Sequence, residues 1–264
     1  MSDISKKFAQ LKKEGNKALV IFIEAGDPSL AVTEKLVYEI EKSGADIIEL
    51  GIPFSDSIAD GPTIQAAANR ALAKNTSAKD ILALVSKMRK RSSVPIVLMT
   101  SFNIVFKYGV SKFVEDAARS KVSGFIVPDL PPEEAGELTK LAKQKGIDVI
   151  FLVAPNTPND RIKKIADASS GFIYLISITG ITGARESVSS GVAGAVSRIR
   201  KATDKPIAVG FGISKASQVR DISKVSDGVI VGSAVVNIIA KNGKSKTLPK
   251  KVGAFVKSLK KGLS

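Results

Sequence analysis

The chain has 264 residues, of which 40 are Lys or Arg and 25 are Asp or Glu, so its formal net charge is +15 at pH 7. It contains no His, Cys or Trp, which excludes Ser-His and Cys-His nucleophiles, histidine or thiolate metal sites, and disulfides. An enzyme of this composition must take its acid–base groups from Asp, Glu, Lys or Tyr. No apolar run approaches the roughly 18 residues of a membrane span, and the N-terminus lacks an apolar signal core, so we expect a cytoplasmic protein.

The first predicted element is an N-terminal helix. Ile4, Phe8 and Leu11 lie on one helical stripe, and Gly15 follows as a stop signal. This helix precedes the first apolar strand. In a closed barrel we expect it to cover the bottom.

Eight short apolar runs rich in β-branched residues then alternate with helical stretches. Continuous apolar runs are typical of parallel strands that are covered on both faces. The predicted strands are Ala18–Ile23, Asp46–Leu50, Pro95–Met99, Gly124–Val127, Asp148–Val153, Phe172–Ile176, Pro206–Val209 and Gly228–Val231.

In the segments between these strands, apolar residues recur at helical spacing, which predicts a helix in each segment. The clearest case has Leu36, Val37 and Ile40 on one stripe, with Ser29 as N-cap and Gly44 as stop. Eight β-then-α units in one chain predict an α/β protein, a single-domain (β/α)₈ TIM barrel over residues 1–264 with an extra N-terminal helix. A doubly wound open sheet is the alternative, but the turn after the first strand, residues 25–28, is not G-x-G-x-x-G.

Two carboxylates stand out at the predicted barrel mouth, the C-terminal ends of the strands, where barrel active sites lie. Glu49 interrupts an apolar strand. Facing inward it would be a desolvated proton donor, and the alternative is an ion-paired strand-end residue. Asp60 lies in a turn-rich loop and is either a second functional carboxylate or a turn residue. No Lys stands at a strand end, which disfavours Schiff-base chemistry.

Glycine turns follow the last two strands. Residues 210–214 read GFGIS, and residues 232–234 read GSA and open a helical stretch. Glycines and a helix N-terminus favour phosphate binding at this place in a barrel, and ordinary turn glycines are the alternative. The Gly- and Thr-rich segment 179–187 fits either a lid over the substrate or a plain surface loop.

The positive charge is concentrated at the C-terminus, where residues 241–264 hold eight Lys and no acid. An apolar stripe there predicts a helix packed on the body with its lysines in solvent: Leu248, Val252, Phe255, Val256, Leu259 and Leu263. A nucleic-acid or anionic-surface patch is the alternative, but only 5% of residues are aromatic. We therefore expect no nucleic-acid partner and no membrane partner.

Residues 49–56 (ELGIPFSD) and 59–65 (ADGPTIQ) closely resemble the signature of the tryptophan synthase α subunit family. Segments 25–28, 180–185, 210–214 and 231–234, together with Tyr174, match that family in order and spacing. The resemblance implies a (β/α)₈ barrel that cleaves indole-3-glycerol phosphate to indole and glyceraldehyde 3-phosphate. It implies a lyase of tryptophan biosynthesis that uses neither a metal nor a Schiff base.

The resemblance also assigns roles to residues. Glu49 is implied to protonate C3 of the indole ring, and Asp60 to hold or deprotonate the indole N–H. Thr182 is implied to fix Asp60 when a lid closes. The substrate-binding residues implied are Phe22 and Tyr174 near the indole, and Gly183, Phe211, Gly212, Gly232 and Ser233 around the phosphate.

The family's partner is a pyridoxal-phosphate β subunit that receives indole through a tunnel, so no cofactor is implied for this chain. Three departures from the family pattern are visible. Ser57-Ile58 replaces Pro-Leu in a loop that touches the β subunit, which affects the expected partner affinity. Ser101 replaces a common Tyr. Glu24 replaces a common Thr and shares strand parity with Phe22, which would add a third acid at the mouth.

Three other functions remain open at this point. The first is a different phosphate-sugar barrel enzyme that binds Mg²⁺ through Glu24, Glu49 and Asp129. The second is a non-catalytic basic nucleic-acid-binding protein. The third is a subunit that mainly activates its partner and is nearly inert alone.

Overall fold

A computed structural model of the chain describes residues 1–57, 60–176, 188–210 and 212–263, with residues 188–190 described by their backbone alone. Nine parallel strands of the described chain form one sheet, in the order β5-β4-β3-β2-β1-β9-β8-β7-β6. The strands are β1 (Ala18–Glu24), β2 (Ile47–Gly51), β3 (Ile96–Met99), β4 (Gly124–Ile126), β5 (Asp148–Ile150), β6 (Leu152–Val153), β7 (Ile173–Ile176), β8 (Ile207–Gly210) and β9 (Gly228–Val231).

The sheet curls into a barrel that closes through a broken strand. The sequence predicts one strand over Asp148–Val153, but the structure divides it at Phe151 into β5 and β6. β5 pairs with β4, and β6 pairs with β7. The two pieces together therefore occupy the position of the fifth of the eight strands of the barrel. The predicted (β/α)₈ fold is confirmed.

Helices alternate with the strands along the described chain. They are α1 (Asp3–Lys13), α2 (Leu30–Lys42), α3 (Pro62–Leu72), α4 (Ala78–Met88), α5 (Phe102–Tyr108), α6 (Val110–Arg119), α7 (Gly136–Gln144), α8 (Asn159–Ala168), α9 (Val188–Arg200), α10 (Ala216–Ser223), α11 (Ser233–Asn242) and α12 (Leu248–Lys260). The predicted N-cap is confirmed at α2, where the Ser29 side chain accepts a hydrogen bond from the Val32 N–H. Gly44 follows that helix with φ +101°, a conformation that favours glycine.

Helix α1 forms the barrel floor, as predicted. Its residues Ile4, Phe8 and Leu11 are buried in one cluster with inward-facing strand residues. That cluster includes Ala18, Val20, Ile47, Val97, Ile126, Ile150, Phe172, Ala208 and Ile230. The lower half of the barrel interior is therefore a packed apolar core, and the opposite end is left for chemistry.

The C-terminal helix α12 packs on the body as predicted. Leu248, Val252, Val256 and Leu259 are buried, while Phe255 and Leu263 are partly buried. Lys260 Nζ lies 2.6 Å from Asp46 Oδ2, and the neighbouring lysines Lys250, Lys251, Lys257 and Lys261 are exposed. Nowhere in the described ranges is a helix both long and apolar enough to cross a membrane.

Candidate active site

The C-terminal ends of the strands open into a cavity of about 490 Å³. Its lining comes mainly from the ends of β1 to β4 and the segments that follow them, and includes Phe22, Glu24, Gly51, Asp60, Ser101 and Asp129. Glu49 and Tyr174 do not line this cavity. Glu49 lies two residues before Gly51 on β2, one step deeper in the barrel.

Glu49 faces the barrel interior. It pairs in register with Phe22 on β1 and Val97 on β3, it is only 1% exposed, and its Oε2 has no hydrogen-bond partner among the described residues. Burial, together with the charge of Asp60, raises the pKa of Glu49 to about 8. No described cation pairs with Glu49, so the geometry favours the proton-donor interpretation over the ion-paired one.

Asp60 lies in the loop between β2 and α3 and lines the cavity. Its carboxylate accepts a hydrogen bond from the Ser57 hydroxyl, while Gln65 Nε2 donates to the carbonyls of Ser57 (3.0 Å) and Asp60 (2.9 Å). Gln65 therefore ties the Ser57 and Asp60 backbone of this loop to α3. Burial raises the pKa of Asp60, and the Ser57 hydrogen bond opposes that shift. Gly61 is the N-cap of α3 and makes no side-chain cap, so the Asp60 carboxylate is not engaged as the helix cap.

Tyr174 projects inward from β7, packed against the interior residues of the core. Gly210 on β8 makes room for its ring, because a Cβ at that position would lie 2.6 Å from Tyr174 Cε2 and 2.7 Å from the hydroxyl oxygen. Burial raises the pKa of Tyr174 well above its ordinary value, and the charges of Glu49 and Asp60 raise it further. Tyr174, Glu49 and Asp60 are therefore close enough for the charge on one to shift the pKa of another.

The predicted phosphate residues that the structure describes, Gly212, Gly232 and Ser233, follow the last two strands. Gly232 is the N-cap of α11, and Ser233 is the first residue of that helix. The N–H groups of Val235 and Val236 bond to the Gly232 carbonyl, whereas the N–H groups that precede them in a helix have no intrahelical acceptor and suit an anion. A Cβ at Gly232 would lie 3.3 Å from Phe22 Cβ, so this turn also contacts the cavity wall. Gly212 faces open space.

Several predicted positions fall outside the described residues. These are Thr182 and Gly183 in the 179–187 segment, Phe211 beside Gly212, and Ile58 in the loop before Asp60. Among the described positions, the structure brings Phe22, Glu49, Asp60, Tyr174 and Gly232 into one region at the barrel mouth.

An ion pair near the barrel mouth could not be predicted from the sequence. Asp27, which is 1% exposed, accepts two hydrogen bonds from Arg70, at 2.9 Å from Nε and 2.7 Å from Nη2. The pair joins the loop after β1 to α3, the helix that follows Asp60. The partners are 43 residues apart, and no local pattern relates positions at that separation.

The carboxylate of Asp129 is hydrogen-bonded to other residues of the protein. It accepts from the Ser101 hydroxyl at 2.6 Å and from the Phe102 N–H at 2.8 Å, at the start of α5. No group of three or more Asp or Glu side chains in the described segments has the geometry to hold a metal ion. The trio Glu24, Glu49 and Asp129 of the Mg²⁺ alternative is thus not a ligand cluster in this structure.

A family model described as "Tryptophan synthase alpha chain" matches residues 8–264. The tryptophan synthase alpha chain of Citrifermentans bemidjiense is 50% identical over 263 residues, covering 100% of this chain and 98% of that protein. The crystal structure of tryptophan synthase subunit alpha from Legionella pneumophila superposes with a TM-score of 0.92 at 34% identity, covering 100% of this chain and 98% of the other. A chain of the tryptophan synthase complex from Pyrococcus furiosus gives a TM-score of 0.85 at 38% identity, covering 92% and 98%. On its fold and its full-length similarity, the chain belongs to the tryptophan synthase alpha chain family.

Proposed function

We propose that the chain cleaves indole-3-glycerol phosphate to indole and glyceraldehyde 3-phosphate through two carboxyl groups, Glu49 and Asp60. The observation that carries this assignment is the environment of Glu49, an inward-facing and nearly inaccessible carboxyl with a pKa of about 8. Such a group holds its proton at neutral pH yet titrates close enough to that pH to release it, as a general acid requires.

The reaction needs one proton delivered and one removed. Protonation at C3 of the indole ring allows the bond from C3 to the side-chain carbinol carbon to break, with its electron pair restoring the aromatic ring. The carbinol hydroxyl loses its proton and becomes the aldehyde carbonyl. Glu49 supplies the proton to C3, and the resulting carboxylate is a base of matched pKa for the hydroxyl proton.

Asp60 acts on the indole nitrogen. Protonation at C3 places positive charge on the ring nitrogen, and a carboxylate that accepts the N–H hydrogen bond stabilises that charge. The same negative charge contributes to the raised pKa of Glu49. One ionised carboxylate thereby keeps the other protonated, which separates the roles of the two acids.

The remaining contacts orient the substrate. Phe22 lines the cavity and offers an apolar face to the indole, with Tyr174 deeper in the barrel. Gly212, Gly232 and Ser233 present backbone N–H groups and the α11 N-terminus to the phosphate. Gly183 and Phe211 are proposed to complete the phosphate site, and Thr182 to hold Asp60 when the substrate is bound.

The partner is proposed to be a tryptophan synthase β subunit. The solved Pyrococcus furiosus structure is a tryptophan synthase complex, and the same type of assembly is proposed here, with pyridoxal phosphate held by the β subunit and no cofactor in this chain. Ser57-Ile58 lies in the loop expected to contact that partner. A cytoplasmic location and a single domain over residues 1–264 complete the proposal.

The decisive experiment incubates the purified full-length chain with indole-3-glycerol phosphate and measures both products. We expect indole and glyceraldehyde 3-phosphate in equal amounts, at a rate unchanged by a chelator. Loss of activity on chelation would instead favour the Mg²⁺ alternative. DNA binding that weakens steeply with salt, without indole release, would favour the nucleic-acid-binding alternative. Repeating the assay with the β subunit tests whether the chain acts mainly as an activator.

A further inference from the structure

A third buried carboxyl lies at the barrel mouth and has no part in the mechanism above. Glu24 is the last residue of β1 and pairs in register with Gly51 on β2. It is only 4% exposed, it lines the 490 Å³ cavity, and its Oε1 has no hydrogen-bond partner among the described residues. A buried polar atom without a partner is costly, and its position at a cavity wall suggests that a ligand supplies the partner.

The sequence makes specific room for this side chain. A Cβ at Gly51 would lie 2.5 Å from Glu24 Oε2 and 2.9 Å from Phe22 Cζ. Any other residue at position 51 would displace both the carboxyl and the ring. Glu24 is therefore held beside Phe22 at the wall of the cavity, on the same strand face.

The surroundings of Glu24 disfavour its ionised form. Burial raises its pKa well above the usual range, and the charges of Asp60 and Asp27 raise it further. Arg70 offsets part of the Asp27 charge through their ion pair. Among the described residues, the other titratable groups at this end of the barrel are the phenol of Tyr174 and three carboxyl groups, and none of the described residues that line the cavity is Lys or Arg. The three carboxyl groups are those of Glu49, Asp56 and Asp129. These surroundings favour the protonated form of Glu24, a carboxylic acid that can both donate and accept a hydrogen bond.

We infer that Glu24 is a substrate-binding residue, whose carboxylic acid exchanges a pair of hydrogen bonds with a hydroxyl group on the three-carbon chain of the substrate. The inference rests on the proposed function. A hydroxyl fits because it also donates and accepts. The surrounding acids repel a phosphate from this position. A carboxylate at Asp60 is a better acceptor for the indole N–H than a protonated carboxyl at Glu24.

Two substitutions separate hydrogen bonding from side-chain size. Glu24→Gln keeps a donor and an acceptor, whereas Glu24→Leu keeps a similar volume but has neither. We expect Glu24→Leu to raise KM about tenfold, since it leaves a substrate hydroxyl without its partner, and Glu24→Gln to stay within about threefold of wild type. The matched controls Glu14→Gln and Glu14→Leu change an exposed Glu outside the cavity lining. They are expected to leave KM unchanged.

The pH dependence of KM gives a readout that a purely structural role would not change. In the wild type, KM is expected to rise at alkaline pH as Glu24 ionises and loses its donor, and Glu49, whose pKa is about 8, adds a rise of its own. Glu24→Gln is expected to show a smaller rise, because only the Glu49 contribution remains. The inference is overturned if Glu24→Leu has the wild-type KM, if both substitutions impair KM equally, or if Glu24→Gln retains the full wild-type alkaline rise. The last outcome decides the matter even if Glu24→Leu does not fold.

A binding measurement keeps this inference separate from the proposed function. Calorimetric titration with glycerol 3-phosphate, which carries the hydroxyls without the indole, is expected to show about tenfold weaker binding to Glu24→Leu than to the wild type. If the wild type releases no indole, the proposed function fails, and the glycerol 3-phosphate affinities still decide the role of Glu24. Equal affinities would overturn that role while leaving the proposed function intact.

Discussion

Replacing Glu49 with Gln is expected to stabilise the protein, by an amount that depends on pH. The ordinary pKa of the side chain is 4.5, and burial in the native state raises it to about 8. Between these values the unfolded chain has released a proton that the folded chain still binds, so stability falls as pH rises from 4.5 to about 8. Glutamine does not titrate and escapes this penalty.

The size of the effect follows from the two pKa values. Each pKa unit corresponds to about 1.36 kcal/mol, so the wild type loses about 3 kcal/mol by pH 7 and about 5 kcal/mol above pH 8. Glu49→Gln should be more stable than the wild type by these amounts and equally stable below about pH 4.

Urea unfolding of both proteins at several pH values measures this difference directly. Glu14→Gln serves as the matched control, because Glu14 is exposed and should show no pH-dependent gap. A Glu49→Gln protein that is less stable than the wild type at pH 8, or whose advantage does not change with pH, would refute the buried-acid account of Glu49.

Three further substitutions test other parts of the site. Asp60→Asn should lower kcat about a hundredfold while the protein remains folded in urea titrations; a kcat near that of the wild type would contradict the role of Asp60. Gly210→Ala places a Cβ 2.6 Å from Tyr174 Cε2 and should lower the free energy of unfolding by about 2 kcal/mol in denaturant titrations; an unchanged value would show that the ring has space to move. Arg70→Met leaves the carboxylate of Asp27 buried without its cation and should cost about 3 kcal/mol in the same measurement; a neutral effect would show that solvent reaches Asp27.

Much of the fold could be predicted because parallel strands covered on both faces leave a local apolar pattern. Strands β3 and β8 begin one residue later than predicted, at Ile96 and Ile207. The predicted runs begin with Pro95 and Pro206, and proline has no N–H to donate to a neighbouring strand. The break at Phe151 has no local signal. The apolar pattern continues through it, and only pairing with β4 on one side and β7 on the other divides the strand.

The acids of the candidate site were also partly predictable. Strand parity places Phe22 and Glu24 on one face of β1, and the structure confirms that both line the cavity. The Asp27–Arg70 pair and the contacts of Asp129 could not be predicted, because their partners are 43 and about 28 residues away. They meet only because β1 pairs with β2 and β3 pairs with β4, which brings the segments after those strands together.

The central claim is that Glu49 supplies the proton that breaks the carbon–carbon bond of the substrate. The most direct test compares indole release from saturating indole-3-glycerol phosphate by the wild type and Glu49→Gln, with substrate binding to both confirmed by calorimetry. The account predicts that the wild type releases indole, and that Glu49→Gln binds the substrate with similar affinity but releases none. Indole release by Glu49→Gln at a rate near that of the wild type would contradict it.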